Sequence, residues 1–353
     1  MKYLLLILIL TGCGAFPGQK AQEPEVFTIA VWNVHNLFDG QETENKYAEF
    51  RESSGWTQEK YQARITSISQ AVLKMVLEEN ESSSKVMLPS VIGFVEVENT
   101  GVLEDLGGAL SKYGYAWTAF TALPGSALGI GVLSRFPIKE AIAHSITTEK
   151  QTTPRPVLEL RVEPRGKPIV FLLCHWKSKL GNDTEVLRRA SARVVQRRLR
   201  ELKEAEAETP VIVMGDLNEN HDEFYRQAGL CALLPGDPVA LVQMDSFDAR
   251  DFLFLSTEKP PRSYMEIPAL YSPWEDMEGG SYFYKGEWET IDHFLLSDGL
   301  FNGTGWNYIG CRVLDHEPFT TSGGVPNVYI PRNGRGLSDH LPLLLSLRDL
   351  PGD

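Results

Sequence analysis

An apolar, strand-like run that stops at a polar residue able to hold a metal ion or a phosphate occurs six times along the chain. Each run is short and rich in branched or aromatic side chains, a pattern typical of buried strands. We expect these strands to carry acids, amides and imidazoles to one edge of a sheet, which metal-assisted attack on a phosphate ester requires. The residues are Asn33, Glu96, His175, Asp216 with Asn218, Asp292, and Asp339 with His340.

Helical periodicity separates some of these strands. Residues 57–79 place apolar side chains on one helix face behind Thr57, a capping residue, and a short helix is predicted over residues 102–110. A long helix begins at Asp183 or Thr184. The predicted strands cover residues 26–32, 91–95, 131–134, 157–162, 169–174, 211–214, 288–296 and 343–347.

Strands and helices alternate only in part, and several strands follow each other directly. This order favours two mixed β-sheets packed together with outer helices over a doubly wound parallel sheet. Residues 235–286, rich in Pro, Gly and aromatic residues, are predicted to form an elaborate loop region over one edge of the sheets. Because no internal repeat or second linker is visible, we predict one domain over residues 26–350.

The first residues resemble an export segment rather than part of the fold. Lys2 precedes the apolar run 3–10, which is too short to span a bilayer because spanning takes roughly 20 apolar residues. Small residues before Cys13 resemble a bacterial lipoprotein cleavage box, which implies a signal peptide over residues 1–12 and a lipid on the Cys13 sulfur. A plain secretory signal and a disordered start of a cytosolic protein are the alternatives. Residues 13–25 are predicted to be a flexible tether, and the protein to be exported and anchored to a membrane at the cell surface or in the periplasm.

The charge of the chain limits its possible functions. The whole sequence carries a net charge of −13, and loss of residues 1–12 would remove one further positive charge, that of Lys2. An acidic surface is unsuited to a tight non-specific grip on nucleic acid. Screening confines the repulsion to roughly 8 Å at physiological salt, so a local cluster of metal ion and arginine can still bind phosphate. The charge therefore argues against a DNA-packaging role and leaves catalysis open.

Beyond Cys13 there are three cysteines, and an odd number cannot all pair within one chain. In an exported protein Cys231 could pair with Cys311, although nothing in the sequence requires it. Cys174 lies inside a predicted strand, which favours a core thiol over a nucleophile.

Single motifs carry little weight. The segment GDLN at 215–218 is more often a turn than a site, because Gly, Asp and Asn all suit turns. The segment SDH at 338–340 could be a loop with a satisfied histidine. Glu96 is harder to dismiss, because a carboxylate at the end of a buried strand has to be paired or bind a metal.

Taken together, six segments resemble the endonuclease/exonuclease/phosphatase superfamily, in particular an exported bacterial lipoprotein branch. The resemblance runs from about Phe27 to Leu347 and implies a four-layered α-β-β-α sandwich of two mixed β-sheets flanked by helices, the DNase I-like fold. The segments are WNVHNLFD at 32–39, GFVEVEN at 93–99, HWKS at 175–178, GDLN at 215–218, WETID at 288–292 and SDHLP at 338–342.

The resemblance implies a divalent metal ion. Glu96 would be its principal carboxylate ligand, with Asn33 beside it and Asp339 near enough to contribute. Oxygen ligands of this kind suit Mg²⁺ or Mn²⁺, which keep several waters and accept a phosphate oxygen of the substrate.

The resemblance also implies catalytic roles. Asp216 would orient or deprotonate the attacking water, and Asn218 would hold a phosphate oxygen. His340, paired with Asp292, would stabilise the phosphorane or transfer a proton, since the carboxylate favours an imidazolium. His175 would contact a non-bridging oxygen or protonate the leaving group.

Three further residues complete the expected phosphate site. Arg155 would add positive charge, and one of Arg188 and Arg189 would reach a phosphate, of which we choose Arg189. His35 stands where relatives usually carry Asp or Glu. An imidazole there weakens the negative charge that holds the ion, although it could also donate to a phosphate.

Three functional hypotheses follow. The first is a Mg²⁺-dependent hydrolase of phosphoester bonds, an extracytoplasmic nuclease that is attached to the membrane through Cys13 and needs no obligate protein partner. The second is a phosphatase or sphingomyelinase-like phosphodiesterase that acts on a lipid headgroup or a soluble phosphate ester. The third is a surface binding protein that keeps the fold without turnover.

Overall fold

The computed structural model describes residues 26–78, 86–148, 153, 155–182, 184–227, 231–236, 248–263 and 267–351. The predicted signal peptide, the tether, Cys13 and Asp183 lie outside the described residues. The helices of the described part are α1 (Gln58–Val72), α2 (Thr100–Leu110), α3 (Thr184–Ala205) and α4 (Glu223–Gln227). Its strands are β1 (Val26–Leu37), β2 (Leu77–Glu78), β3 (Val86–Met87), β4 (Val91–Val97), β5 (Trp117–Thr121), β6 (Gly129–Ser134), β7 (Ile138–His144), β8 (Val157–Val162), β9 (Ile169–His175), β10 (Val211–Asp216), β11 (Leu233–Pro235), β12 (Leu253–Ser256), β13 (Ala269–Tyr271), β14 (Tyr282–Tyr284), β15 (Glu287–Glu289), β16 (Asp292–Leu296), β17 (Gly305–Val313) and β18 (Leu343–Leu350).

Two large mixed sheets form the centre of the molecule. The six-stranded sheet has the order β17-β18-β1-β4-β6-β5, and the eight-stranded sheet has the order β11-β12-β13-β16-β10-β9-β8-β7. Each contains a central parallel pair, β1 with β4 and β9 with β10, among antiparallel neighbours. The predicted two-sheet architecture is confirmed.

The alternation of side chains along the strands creates the layers. In β1, Phe27, Ile29 and Val31 point into the apolar core between the two sheets. Ala30 and Trp32 point to the other face, where they pack with α1 and α2. The outer face of the eight-stranded sheet packs against α3 in the same way. Because side chains of a strand alternate between faces, one strand serves two cores and an α-β-β-α sandwich results.

Strand direction determines which chain ends meet. The C-terminal ends of β1 and β4 lie at one edge because these strands are parallel, and the same holds for β9 and β10. β16 and β18 are antiparallel to β10 and β1, so their first residues and preceding loops reach the same edges. The topology therefore gathers all six strand-end segments of the sequence.

Several sequence-based boundaries were wrong. The strand predicted over residues 26–32 continues past Asn33 to Leu37. The helix predicted to reach residue 79 ends at Val72, where the main-chain N–H groups of Lys74 and Met75 bond three residues back and close a turn. The region 235–286, predicted as loop, contributes β12 and β13 to the eight-stranded sheet. The strand predicted over residues 288–296 is divided into β15 and β16.

The three cysteines of the described residues are free thiols, so Cys231 and Cys311 are not paired. Cys174 is fully buried in the core beneath α3. Among the described helices none is long and apolar enough to cross a membrane.

Candidate active site

A hydrogen bond between the two sheets brings their polar ends together. Asn33, in β1, donates from Nδ2 to Oδ2 of Asp216, at the end of β10, over 3.0 Å. The carbonyl oxygen of Asn33 accepts a 2.6 Å hydrogen bond from the hydroxyl of Ser338, which fixes the loop before β18. All three residues are buried, so these bonds are strengthened by a low local dielectric. Asn33 therefore orients an acid of the opposite sheet.

Glu96 departs from the regular geometry of its strand. Its φ is 66°, and the pairing of β4 with β6 shifts register between Val95 and Val97. Such a conformation is uncommon for a residue with a side chain and often marks a functional constraint. One carboxylate oxygen, Oε2, accepts a 2.9 Å hydrogen bond from the main-chain N–H of Asn36. Within the described residues, no Lys or Arg lies within 4.0 Å of this carboxylate, so its charge lacks a basic partner from the protein.

A buried arginine supports the loop next to Glu96. Arg64, in α1, donates from Nη2 to the carbonyl oxygens of Val34 and His35, at 2.5 and 2.9 Å. Its guanidinium carbon lies 3.4 Å from the ring centroid of Tyr329. Burial lowers the pKa of Arg64 to about 9, opposed by Tyr329 and by acids of the site. Because His35 and the following residue both have positive φ, we infer that Arg64 holds this strained turn in place.

Asp216 occupies the centre of the cluster. In the strand register it lies directly between His175 on β9 and Asp292 on β16. Burial raises the pKa of the Asp216 carboxyl to about 7, with the positive charge of His340 acting against this and the negative charges of Asp292 and Glu96 adding to it. Oδ1 of Asp216 accepts a 2.9 Å hydrogen bond from the main-chain N–H of Asn218, which lies in the turn that follows β10. This leaves a carboxyl that changes protonation near neutrality.

His175 lies between two acids. Its Nε2 is 3.8 Å from Oε1 of Glu96 and 3.8 Å from Oδ2 of Asp216. Burial lowers the pKa of His175 well below its ordinary value, and the nearby charges of Arg155, His340 and Lys177 add to this effect. His175 is therefore a neutral imidazole at physiological pH.

His340 has the opposite character. Its Nδ1 donates a 2.7 Å hydrogen bond to Oδ2 of Asp292, and the same oxygen accepts a 2.7 Å bond from the Ser281 hydroxyl. Burial favours the neutral imidazole and lowers the pKa of His340. The charge and hydrogen bond of Asp292 outweigh this effect, and the negative charges of Asp339 and Asp216 add to them, so the pKa of His340 is raised well above its ordinary value. His340 is therefore an imidazolium, and its Nε2 lies 4.0 Å from Oδ1 of Asp339.

Two groups of side chains are candidate metal ligands. Asp216, Asp292 and His340 offer ligand atoms that all lie within 4.8 Å of one another. This set is unsuited to a cation, because His340 is charged and its Nδ1 already donates to Asp292. Glu96 and Asp339 fit better, since both are partly exposed and act electrostatically on Arg64, and in the described part of the chain no Lys or Arg pairs with Glu96.

The other predicted site residues, Asn33, Asn218, Arg155 and His35, each contact a neighbouring protein group. Asn33 keeps one oxygen lone pair for a ligand, because its Oδ1 accepts a single hydrogen bond, from the N–H of His35. The amide of Asn218 donates to the carbonyl oxygen of Trp176, and Arg155 bonds the same carbonyl. Nδ1 of His35 lies 3.5 Å from Oδ1 of Asp339.

The predicted helix arginines have protein partners. Nε of Arg189 lies 3.8 Å from Oε1 of Glu185, an acid one turn earlier in α3. The alternative, Arg188, is buried and pairs with Glu219 and Glu185. The phosphate-binding role of Arg189 stays a prediction.

The sequence analysis missed residues that support the cluster. Ser281 and Ser338 position Asp292 and Asn33 through single hydroxyl groups. Tyr282 packs against the imidazole of His340, with the ring centroids 4.6 Å apart. No feature of the sequence indicated the supporting role of Arg64, because one arginine in an amphipathic helix normally belongs to the solvated face of that helix.

Two mixed sheets that join acids, an amide and imidazoles at a shared edge define a class of phosphoester hydrolases. The chain belongs to the endonuclease/exonuclease/phosphatase family, since the model of that family matches residues 28–237. No curated protein matches the chain.

Solved structures share the fold at low sequence identity. Truncated Caenorhabditis elegans TDP2 has a TM-score of 0.54 at 13% identity, covering 92% of this chain and 98% of that one. Danio rerio TDP2 complexed with a single-strand DNA product has a TM-score of 0.51 at 17% identity, covering 92% and 100%. The mannosyl-6-phosphatase of Bacteroides thetaiotaomicron has a TM-score of 0.50 at 16% identity, covering 91% and 99%. Such identities show the fold alone.

Proposed function

We propose that this protein is an exported, membrane-attached phosphodiesterase that hydrolyses nucleic acid with the help of Mg²⁺ or Mn²⁺. The observation that supports it best is the hydrogen bond from Asn33 to Asp216. This hydrogen bond joins the edge of the six-stranded sheet that carries Glu96 to the edge of the eight-stranded sheet that carries His175, Asp216 and Asp292. A phosphate at this edge would meet a general base, a cation and a candidate metal ligand at once.

The residues divide the chemistry between them. Asp216, held by Asn33, accepts a proton from the attacking water. His340, kept charged by Asp292, presents Nε2–H to the phosphoryl oxygens as negative charge develops, the usual form of electrostatic stabilisation. His175 hydrogen-bonds a further phosphate or leaving-group oxygen. A divalent ion held by Glu96, Asn33 and Asp339 would polarise the phosphoryl group when bound.

The fold neighbours favour two substrate classes. One neighbour carries a single-strand DNA product, which supports a nucleic-acid substrate. Another is a mannosyl-6-phosphatase, which supports the second candidate, a phosphatase or sphingomyelinase-like enzyme acting on a soluble phosphate ester or a lipid headgroup. We place nucleic acid first because the site lies beside the partly exposed aromatic hairpin described in the next subsection.

A hydrolysis panel tests the proposal. Purified protein is incubated with plasmid DNA, RNA, bis-p-nitrophenyl phosphate, sphingomyelin and inositol phosphates, each with and without Mg²⁺. We expect cleavage of DNA or RNA that chelator, His175→Ala and His340→Ala abolish, while His316→Ala, at an exposed histidine, retains activity. Release of phosphate or phosphocholine with intact DNA would select the second candidate. Ligand binding without any turnover would select a binding protein.

Attachment to the membrane is a separate part of the proposal. It rests on the sequence before residue 26, with residues 26–350 as one domain. Detergent-phase partitioning and the mass of the mature N-terminus test it. We expect a diacylated protein that begins at Cys13, and loss of the lipid in Cys13→Ser. A soluble product with an unmodified thiol would indicate a plain secretory signal instead.

A further inference from the structure

The hairpin of β14 and β15 connects directly to the catalytic pair. The hydroxyl of Ser281, the residue before β14, donates to Asp292. The next residue, Tyr282, forms an isolated antiparallel bridge with His340, and the N–H of Leu341 donates to the Ser281 carbonyl over 2.7 Å. The hairpin is therefore positioned by the same residues that orient the imidazolium.

Two tyrosines extend from the imidazole toward solvent. Tyr282 and Tyr284 are two residues apart in β14 and thus share a face of the hairpin. Their ring planes differ by 16° and their centroids are 6.1 Å apart, while the Tyr282 centroid is 4.6 Å from that of His340. The Tyr284 side chain is 42% exposed. An aromatic surface thus leads from the reacting centre to the outside.

The opposite face of the hairpin is packed against the core. Phe283 packs against Trp288 with centroids 5.1 Å apart, and Trp288 lies against the core beneath α1 and α2. Lys285 and Gly286 close the hairpin with positive φ angles of 51° and 90°, as a tight two-residue turn requires. Nζ of Lys285 lies 5.1 Å from the Tyr284 centroid. A cation therefore accompanies the exposed ring.

We propose that Tyr282 and Tyr284 form a stacking subsite for an unpaired nucleobase next to the reacting phosphate, with Lys285 facing a neighbouring phosphate. This inference rests on the proposed nuclease function and specifies its substrate as single-stranded nucleic acid. Stacking on aromatic side chains is tolerant of sequence, and it contributes binding energy to a protein whose net charge of −13 disfavours tight electrostatic binding of nucleic acid. A duplex hides its base faces, whereas a single strand presents them. An acyl chain would need an enclosed apolar groove rather than an exposed ring beside a lysine.

Binding and cleavage of two matched strands test the subsite. One is single-stranded oligothymidylate, and the other is an oligomer of equal length with abasic tetrahydrofuran units, which has the same number of phosphates and no bases. Kd is measured by fluorescence anisotropy in EDTA, and kcat and KM with Mg²⁺. We expect the wild-type protein to bind oligothymidylate more tightly than the abasic strand. Tyr284→Ala should weaken oligothymidylate binding about fivefold and leave abasic binding unchanged.

Two control variants separate stacking from other effects. Tyr284→Phe keeps the ring and should retain the preference for bases. Tyr225→Ala removes another exposed tyrosine, on α4, and should change neither Kd. Equal Kd values of the wild-type protein for the two strands, or equal losses on both strands in Tyr284→Ala, would overturn the subsite. Absence of oligonucleotide cleavage despite a base preference would instead overturn the nuclease function.

Discussion

Asp216 and Asp292 lie directly opposite each other on the antiparallel strands β10 and β16, so two buried carboxylates are neighbours in the centre of the site. Asp292 acts on two groups at once. It supplies the counter-charge that keeps His340 protonated, and its negative charge raises the pKa of Asp216. Asp292 therefore influences the protonation of both neighbours, in addition to the larger effect of burial, without needing to contact substrate.

Replacing Asp292 should move the alkaline limb of the pH–activity profile. In Asp292→Asn the pKa of His340 falls, because burial favours the neutral imidazole once the counter-charge is gone. The pKa of Asp216 is subject to two opposed changes, because the negative charge of Asp292 and the positive charge of His340 are both lost. We expect kcat to drop about a hundredfold or more, and the alkaline limb, on which His340 loses its proton, to shift toward lower pH.

The measurement is kcat against pH from 5 to 9 on bis-p-nitrophenyl phosphate, with Asp298→Asn as an exposed control on the turn after β16. A profile that keeps both limbs while losing amplitude would show that Asp292 does not set the protonation of its neighbours.

His35 is expected to weaken Mg²⁺ binding. Its Nδ1 lies 3.5 Å from Asp339, so His35→Asp adds a carboxylate oxygen where a candidate ligand already lies. Because hard oxygen ligands suit Mg²⁺, we expect its affinity to rise about tenfold, with a smaller gain for Mn²⁺, which accepts nitrogen ligands more readily. Isothermal titration of both ions gives the two changes. His316→Asp controls for added surface charge, and unchanged Mg²⁺ affinity in His35→Asp would remove His35 from the metal site.

Arg64 is expected to position the metal ligands without touching the ion. Arg64→Met removes the donors to the carbonyl oxygens of Val34 and His35, so the turn that presents the N–H of Asn36 to Glu96 loses its support. Loss of a group that orients a metal ligand typically weakens metal binding 10- to 100-fold, so we expect about a tenfold higher Kd for Mn²⁺.

Titration calorimetry and the metal-induced rise in Tm both measure this effect. Arg250→Met, at an exposed arginine paired with Asp248, is the matched control. A variant that folds and binds Mn²⁺ with wild-type affinity would show that Arg64 contributes to packing alone.

Glu159 should contribute stability that disappears in acid. Burial alone would raise its pKa, but hydrogen bonds from His144 and Arg198 and their charges lower it to about 2 from an ordinary 4.5. A lowered folded-state pKa stabilises the protein above the unfolded-state value, and this contribution is lost as the pH falls from 4.5 toward 2.

Melting temperatures of wild type and Glu159→Gln against pH should therefore differ most above pH 5 and converge toward pH 2. Glu206→Gln, which breaks a more exposed pair with Arg161, should have a smaller effect. A difference that is constant with pH would mean that Glu159 acts through packing.

The ends of β9 and β10 could be located from the sequence, because their apolar runs stop next to the last strand residues, His175 and Asp216. Sheet geometry then brings these residues to one edge, because the two strands are parallel. The bulge at Glu96 left no local signal, because it depends on the pairing of β4 with both neighbours.

Other features depended on contacts between distant segments. The guanidinium of Arg64 is covered by Tyr329, which lies far along the chain. The periodicity of α1 continued to Met75, which is indeed buried, but from a turn rather than from a helix. β12 and β13 are only four and three residues long, too short to show alternation within a region rich in turn residues.

The placement of Asp339 and His340 just before β18 makes the order of synthesis matter. Both side chains follow every other residue of the site along the chain, and β18 has to insert beside β1 to bring His340 to Asp292. A nascent polypeptide whose synthesis has not yet reached β18 therefore lacks the His340–Asp292 pair.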